Sequence, residues 1–255
     1  MNKLSQAFSW WCYTNRGIEP ETLLARAAAI GFVGVDLIDE ELWPLVQKHG
    51  LRIAAIRGHN TFGLNRRENA VAVEAELRES IAKAEKWGIS HVICFSGNRE
   101  GQDDDTGKNI CAETLSRVAP IAENAGVTLT LEMLNSKVDH VDYQADRTSF
   151  GIDVCEAVNS PAMKLLYDIY HLQVMEGDII RTIQEHHRWF AHYHTAGNPG
   201  RSQPDETQEI YYPAIYRAIA ATGYEGMISH EFVPKGDPLE ALEKAYRDCA
   251  QALAS

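Results

Sequence analysis

The sequence has few cysteines, and they are poorly placed for pairing. There are five, at positions 12, 94, 111, 155 and 249, with no CxxC pair among them. A disulfide framework or a structural zinc knuckle is not expected, and the pattern points to a reducing, cytoplasmic compartment. The opening stretch MNKLSQAFSWWCYTNRG has no apolar h-region, so no signal peptide is expected. No run approaches the ~18 apolar residues of a membrane span, which excludes a membrane partner of that kind. Basic charge is scarce. Lys and Arg total 24 against 36 Asp and Glu, a formal charge of −12. A non-specific nucleic-acid binder needs a net basic face to release counterions, and docking on anionic lipid needs one too. Neither partner is expected. A P-loop, a GxSxG elbow and a GxGxxG turn after the first strand are all missing, which removes the common phosphate, hydrolase and dinucleotide sites. There is no low-complexity tract and no linker rich in Pro, Gly or Ser. The 255 residues therefore read as one domain, 1–255, long enough to bury a large core.

Short β-prone runs alternate with longer helical patterns. The runs are Leu4 to Phe8, Val33 to Ile38, Arg52 to Ile56, His91 to Phe95, Val127 to Met133, Met163 to Tyr167, Trp189 to His194 and Gly226 to Phe232. The helical patterns begin with Glu21 to Ile30, opened by Pro20 and closed by Gly31. They continue with Glu40 to Lys48, Arg67 to Trp87, and a helix from near Thr106 that stops at Gly126. Phe150 to Val158, Gln173 to Glu185 and Tyr212 to Ala221 follow. The last opens at Asp237-Pro238-Leu239-Glu240, with an N-cap, a first-turn proline and an acid at the third helical position. Strand–helix alternation requires parallel strands with helical crossovers. Eight such units at roughly 30 residues each predict an α/β fold, a single (β/α)8 TIM barrel.

Functional residues of such a barrel sit at the C-terminal ends of its strands. Four successive predicted strands end in LEM, LYD, HYH and HEF, which carry Glu132, Asp168, His194 and Glu231. Three carboxylates and an imidazole at one mouth suit one divalent cation: Mn, Mg, Co or Zn. Without a cation or a shared proton, converging acids repel and incur desolvation.

The same residues carry a family resemblance. The stretches GFVGVDL (31–37), FSGNR (95–99), LEMLNSKVDH (131–140), LLYDIYHLQVMEGD (165–178), HYHTAGNPGR (192–201) and QEIYYPAIYRAIAATGYEGMISHEF (208–232) resemble the xylose-isomerase-like TIM-barrel superfamily. Within it, the chain is similar to the hydroxypyruvate-isomerase-like sugar isomerases. The resemblance implies metal ligands at Glu132, Asp168, His194 and Glu231, with Glu132 and Glu231 as the acid/base pair. One departure bears on substrate. The hydroxypyruvate isomerases often carry Gln where this chain has His194, whereas the ketose 3-epimerases of the superfamily carry His.

The chemistry agrees. Aldose–ketose isomerisation removes a proton beside a carbonyl, and the enediolate that forms carries negative charge on oxygen. A divalent cation stabilises that charge, and carboxylates transfer the proton. The expected function is a metal-dependent isomerase acting on a small sugar or hydroxy-carbonyl acid. Glu231 is favoured as the abstracting base. A ketose 3-epimerase, or a lyase or dehydratase on the same metal, starts with the same proton abstraction. A homo-oligomer is compatible with the sequence.

Further rim positions are candidates for substrate binding. His171 reads as a hydroxyl contact or a helix cap, and Arg201 as a carboxylate or hydroxyl clamp or a surface residue. Lys137 and His140 either project over the pocket or belong to a tethered loop. His59 with Asn60, and Asn98 with Arg99, follow strands three and four. Glu209 reads as a partner of His171 or of substrate, or as a helix N-terminal acid. Trp10, Trp11 and Tyr13 either shield a sugar face or pack in the core. Asp36 reads as a structural hydrogen-bonding acid.

Overall fold

The computed structural model describes residues 4–254. Eight parallel strands hydrogen-bond in chain order and close into a barrel. The strands are β1 (Ser5–Ser9), β2 (Gly34–Asp36), β3 (Arg52–Arg57), β4 (His91–Cys94), β5 (Thr128–Glu132), β6 (Met163–Asp168), β7 (Phe190–Thr195) and β8 (Met227–His230). The helices are α1 (Pro20–Ile30), α2 (Trp43–Lys48), α3 (Ala70–Trp87), α4 (Asp104–Asn124), α5 (Thr148–Val158), α6 (Ile169–Met175), α7 (Ile179–His186), α8 (Tyr212–Ala221) and α9 (Pro238–Ala254). Among the described residues no helix is long and apolar enough to cross a membrane. The expected (β/α)8 fold is the fold observed.

Contacts group the described chain into two compact units. One runs through Ala54 and takes in Asp178–His187 and the chain from Tyr193 on. In it β1 pairs with β2 and β8, and β7 with β8, all parallel. Ala7, Ala54 and Met227 form a small buried cluster with Val33 packed on it. A small residue suits the strand beside that cluster, because a Cβ on Gly34 would sit 2.7 Å from the Met227 sulfur and 3.2 Å from the Arg52 carbonyl oxygen. Helix α1 follows its sequence signals. Pro20 occupies the first turn, and Gly31 ends the helix at φ 119, donating its N–H to Ala27 and Ala28.

The other unit comprises Ala55–Gly177 and Arg188–His192. Strands β3 to β6 pair in sequence there, with Glu132 beside Leu166 at the ends of β5 and β6. Helix α4 opens with Asp103, whose side chain accepts from the Thr106 N–H at 2.8 Å.

One expected helix is two. The pattern from Gln173 to Glu185 predicts a continuous helix, but the chain forms α6 and α7, separated at Glu176, Gly177 and Asp178. Gly177 and Asp178 have φ of 69 and 48. Two successive left-handed residues cannot continue a right-handed helix. The Glu176 carboxylate at the break accepts from the Thr148 N–H and hydroxyl, tying it to the start of α5.

Candidate metal and proton-transfer site

Strand ends position the chemistry. Asp36, Glu132 and Asp168 are the last residues of β2, β5 and β6. His194 lies one residue before the end of β7, and Glu231 directly follows β8.

In the first unit the contacts converge on Glu231, which is 2% exposed. Its Oε1 accepts from the Trp11 indole N–H at 2.8 Å. Its Oε2 accepts from Arg201 at 2.6 Å. The Arg201 guanidinium also lies over the Trp11 ring, 5.1 Å from its centroid. The Nδ1 of His194 stands 3.2 Å from the same Oε2. Burial alone would raise the Glu231 pKa. The charges of His194 and Arg201, with hydrogen bonds from His194 and Trp11, prevail and hold it well below the usual carboxylate range.

His194 is itself oriented. Its Nε2 lies 3.1 Å from Asp36 Oδ2, and both side chains are fully buried. A carboxylate only accepts, and each ring nitrogen faces one: Nε2 faces Asp36 and Nδ1 faces Glu231. With a neutral ring, one nitrogen's lone pair faces a carboxylate oxygen. Either a second proton or a divalent cation relieves that opposition.

The next strand position shows the contrast. His230 uses both nitrogens structurally, with Nδ1 2.9 Å from Thr195 Oγ1 and Nε2 2.9 Å from Gln6 Oε1. Burial lowers its pKa to about 3.

In the second unit Tyr143 braces Glu132. Its hydroxyl donates to the Glu132 carbonyl at 2.9 Å and accepts from the Ser96 N–H. Asp168 is the N-cap of α6, its Oδ1 accepting from the His171 N–H at 3.1 Å. His171 Nε2 lies 3.6 Å from Asp168 Oδ2, and its Nδ1 is 2.7 Å from Asn135 Nδ2. The His140 ring packs against His171 with centroids 5.2 Å apart.

In the first unit the buried His194 and Glu231 stand with Nδ1 3.2 Å from Oε2, and in the second the buried Glu132 and Asp168 end the paired strands β5 and β6. Carboxylates and an imidazole are donor types that fit a divalent cation.

The other candidates fall elsewhere. Lys137 Nζ donates to the carbonyls of Val174 and Met175, at 2.9 and 3.1 Å, so the structure gives it the tether reading. His59 Nδ1 donates to the Thr61 carbonyl and its Nε2 accepts from the Phe95 N–H; burial lowers its pKa. Asn60 donates its backbone N–H to Glu76. Arg99 holds the loop after β5 through the Tyr143 carbonyl and Asp146, and Asn98 bridges to Tyr143. Glu209 accepts from Asn198 Nδ2 at 2.5 Å. Trp10 and Tyr13 are buried. Sequence reasoning overlooked Asn135, although it lies three residues beyond Glu132, and it read Trp11 as shielding a sugar face or packing in the core or a loop, without the bond of its N–H to Glu231.

Residues 23–254 match the family model described as xylose isomerase-like TIM barrel. A human protein provisionally named hydroxypyruvate isomerase is 25% identical over 243 residues, covering 86% of this chain and 87% of that protein. A 2-oxo-tetronate isomerase of Cupriavidus necator is 32% identical over 123 residues, 48% of this chain and 46% of its own. A solved structure titled AP endonuclease, family 2, from Brucella melitensis superposes with a TM-score of 0.85 at 22% identity, covering 95% of this chain and 97% of that one.

Proposed function

From the membership of this chain in the xylose isomerase-like TIM barrel family, we propose that it is a divalent-metal-dependent isomerase of the hydroxypyruvate isomerase type, acting on a small sugar or hydroxy-carbonyl acid. The observation that carries this reading is the buried His194–Glu231 pair, an imidazole nitrogen 3.2 Å from a carboxylate oxygen, with buried acids also ending β5 and β6. Glu132, Asp168, His194 and Glu231 would hold the ion. When bound, a divalent cation supplies Lewis-acid stabilisation of negative charge developing on substrate oxygen.

The chain's own groups handle the proton. Both oxygens of Glu231 already accept hydrogen bonds, from Trp11 and Arg201. Those donors stabilise its anion and blunt it as a proton acceptor. This reverses the preference for Glu231 that the sequence suggests. Glu132 takes the proton from the carbon beside the carbonyl, and Glu231 keeps its charge, fixed by Trp11 and Arg201. Asp36 and Asp168 orient by hydrogen bonds: Asp36 through His194, and Asp168 through the backbone of α6.

The isomerase names of the two curated relatives agree with this chemistry. The endonuclease-titled structure, at 22% identity, bears on fold alone, and a net charge of −12 argues against a phosphate-backbone substrate. The test is incubation of the Mn2+- or Mg2+-loaded chain with hydroxypyruvate, aldoses and ketoses in D2O. Deuterium at a carbon beside the carbonyl, with an aldehyde–ketone isomer as product, is expected. An epimer or an elimination product would redirect the assignment, and no exchange with any of these substrates would overturn it.

A further inference from the structure

We propose that Asn135 is a positioning residue that locks His171 as an Nε2–H hydrogen-bond donor facing Asp168. This rests on the isomerase reading for its consequence but not for its geometry.

All four hydrogen-bonding positions of the Asn135 amide have partners. Its Oδ1 accepts from the backbone N–H groups of Val138 and Asp139, at 3.0 and 2.9 Å. Its Nδ2 donates to Asp139 Oδ2 at 2.7 Å and faces His171 Nδ1 at 2.7 Å. Flipping the amide would set its oxygen against the Asp139 carboxylate and its NH2 against two N–H donors. The orientation is therefore fixed by its neighbours. The Asp139 carboxylate is held in turn by the Tyr170 hydroxyl at 2.7 Å. Asn135 is fully buried, so water cannot substitute for a missing partner.

With Nδ2 as the donor, His171 Nδ1 must accept. A neutral imidazole carries one N–H, so the proton lies on Nε2. That nitrogen is the one 3.6 Å from Asp168 Oδ2. A doubly protonated ring would set an N–H against the Asn135 NH2. His171 thus offers the site an N–H and no lone pair. It can bind a carbonyl or hydroxyl oxygen of substrate but cannot serve as a general base.

The tautomer is read directly from long-range 1H–15N correlation spectra of the full chain carrying 15N-histidine, with and without Mg2+. The His171 resonances are identified by their loss in His171→Gln. The expected pattern is an unprotonated Nδ1 and a protonated Nε2 in the parent chain. Combining Asn135→Asp with Asp139→Asn puts an acceptor opposite Nδ1 while keeping the Asp139 contact, and should move the proton to Nδ1. A parent chain with protonated Nδ1, or a double variant that keeps the parent pattern, overturns the proposal. In the double variant kcat/KM on hydroxypyruvate should fall ~10- to 100-fold, the usual cost of losing an orienting partner. The spectra need no substrate, so their outcome is separate from whether the chain is an isomerase.

Discussion

His194 stands between two carboxylates, with Nε2 3.1 Å from Asp36 Oδ2 and Nδ1 3.2 Å from Glu231 Oε2. The two acids hold the ring's orientation from either side. This is how an orienting carboxylate raises the basicity of a ligating imidazole. Asp36→Asn preserves shape but replaces a charged acceptor. Divalent-metal affinity should drop ~10- to 100-fold, measured by titration calorimetry with Mn2+. The barrel should remain folded by circular dichroism.

Asp168 has two duties, as a candidate ligand and as the N-cap of α6. The two separate by substitution. Asp168→Asn keeps an oxygen that can cap, and Asp168→Ala does not. Both variants should lose metal affinity. In chelator-treated protein only the alanine variant should lose about 1 kcal/mol of stability, the typical worth of an N-cap, read by urea denaturation. Equal stability of the two variants would show that the cap contributes nothing.

Burial holds His230 near pKa 3 in the folded chain, whereas an unfolded histidine titrates near ~6.5. Between those values the unfolded chain binds a proton that the folded chain refuses. Stability therefore falls as pH drops from about 6.5 toward about 3, with a slope near 1.4 kcal/mol per pH unit from this group. His230→Gln should reduce the slope of unfolding free energy against pH by about that amount between pH 6 and pH 4. An unchanged slope would mean that His230 is protonated in the fold.

The barrel was readable from sequence because apolar runs alternate with amphipathic patterns that glycines end, such as Gly31 and Gly88. The four ligand-capable residues were readable because each follows an apolar run at a strand's end. The break between α6 and α7 was not, since apolar residues at helical spacing span it. The local signal was Gly177-Asp178. Asn135 had a faint signal: an asparagine accepting from backbone N–H groups just ahead of it is a common turn former. Its bond to His171 depends on how the loop returns to α6. The Trp11–Glu231 contact joins residues 220 positions apart, and no local pattern announces it.

The assignment of Glu132 as the abstracting base is tested most directly by solvent-deuterium exchange into hydroxypyruvate for Glu132→Gln, with metal content measured on the same sample. Glutamine keeps one oxygen as a ligand but cannot take a proton at neutral pH. Metal should be retained at least in part while exchange falls by ~10^2- to 10^4-fold, the usual contribution of a general base. Exchange at the parent rate with full metal content would contradict the account and return the role to Glu231.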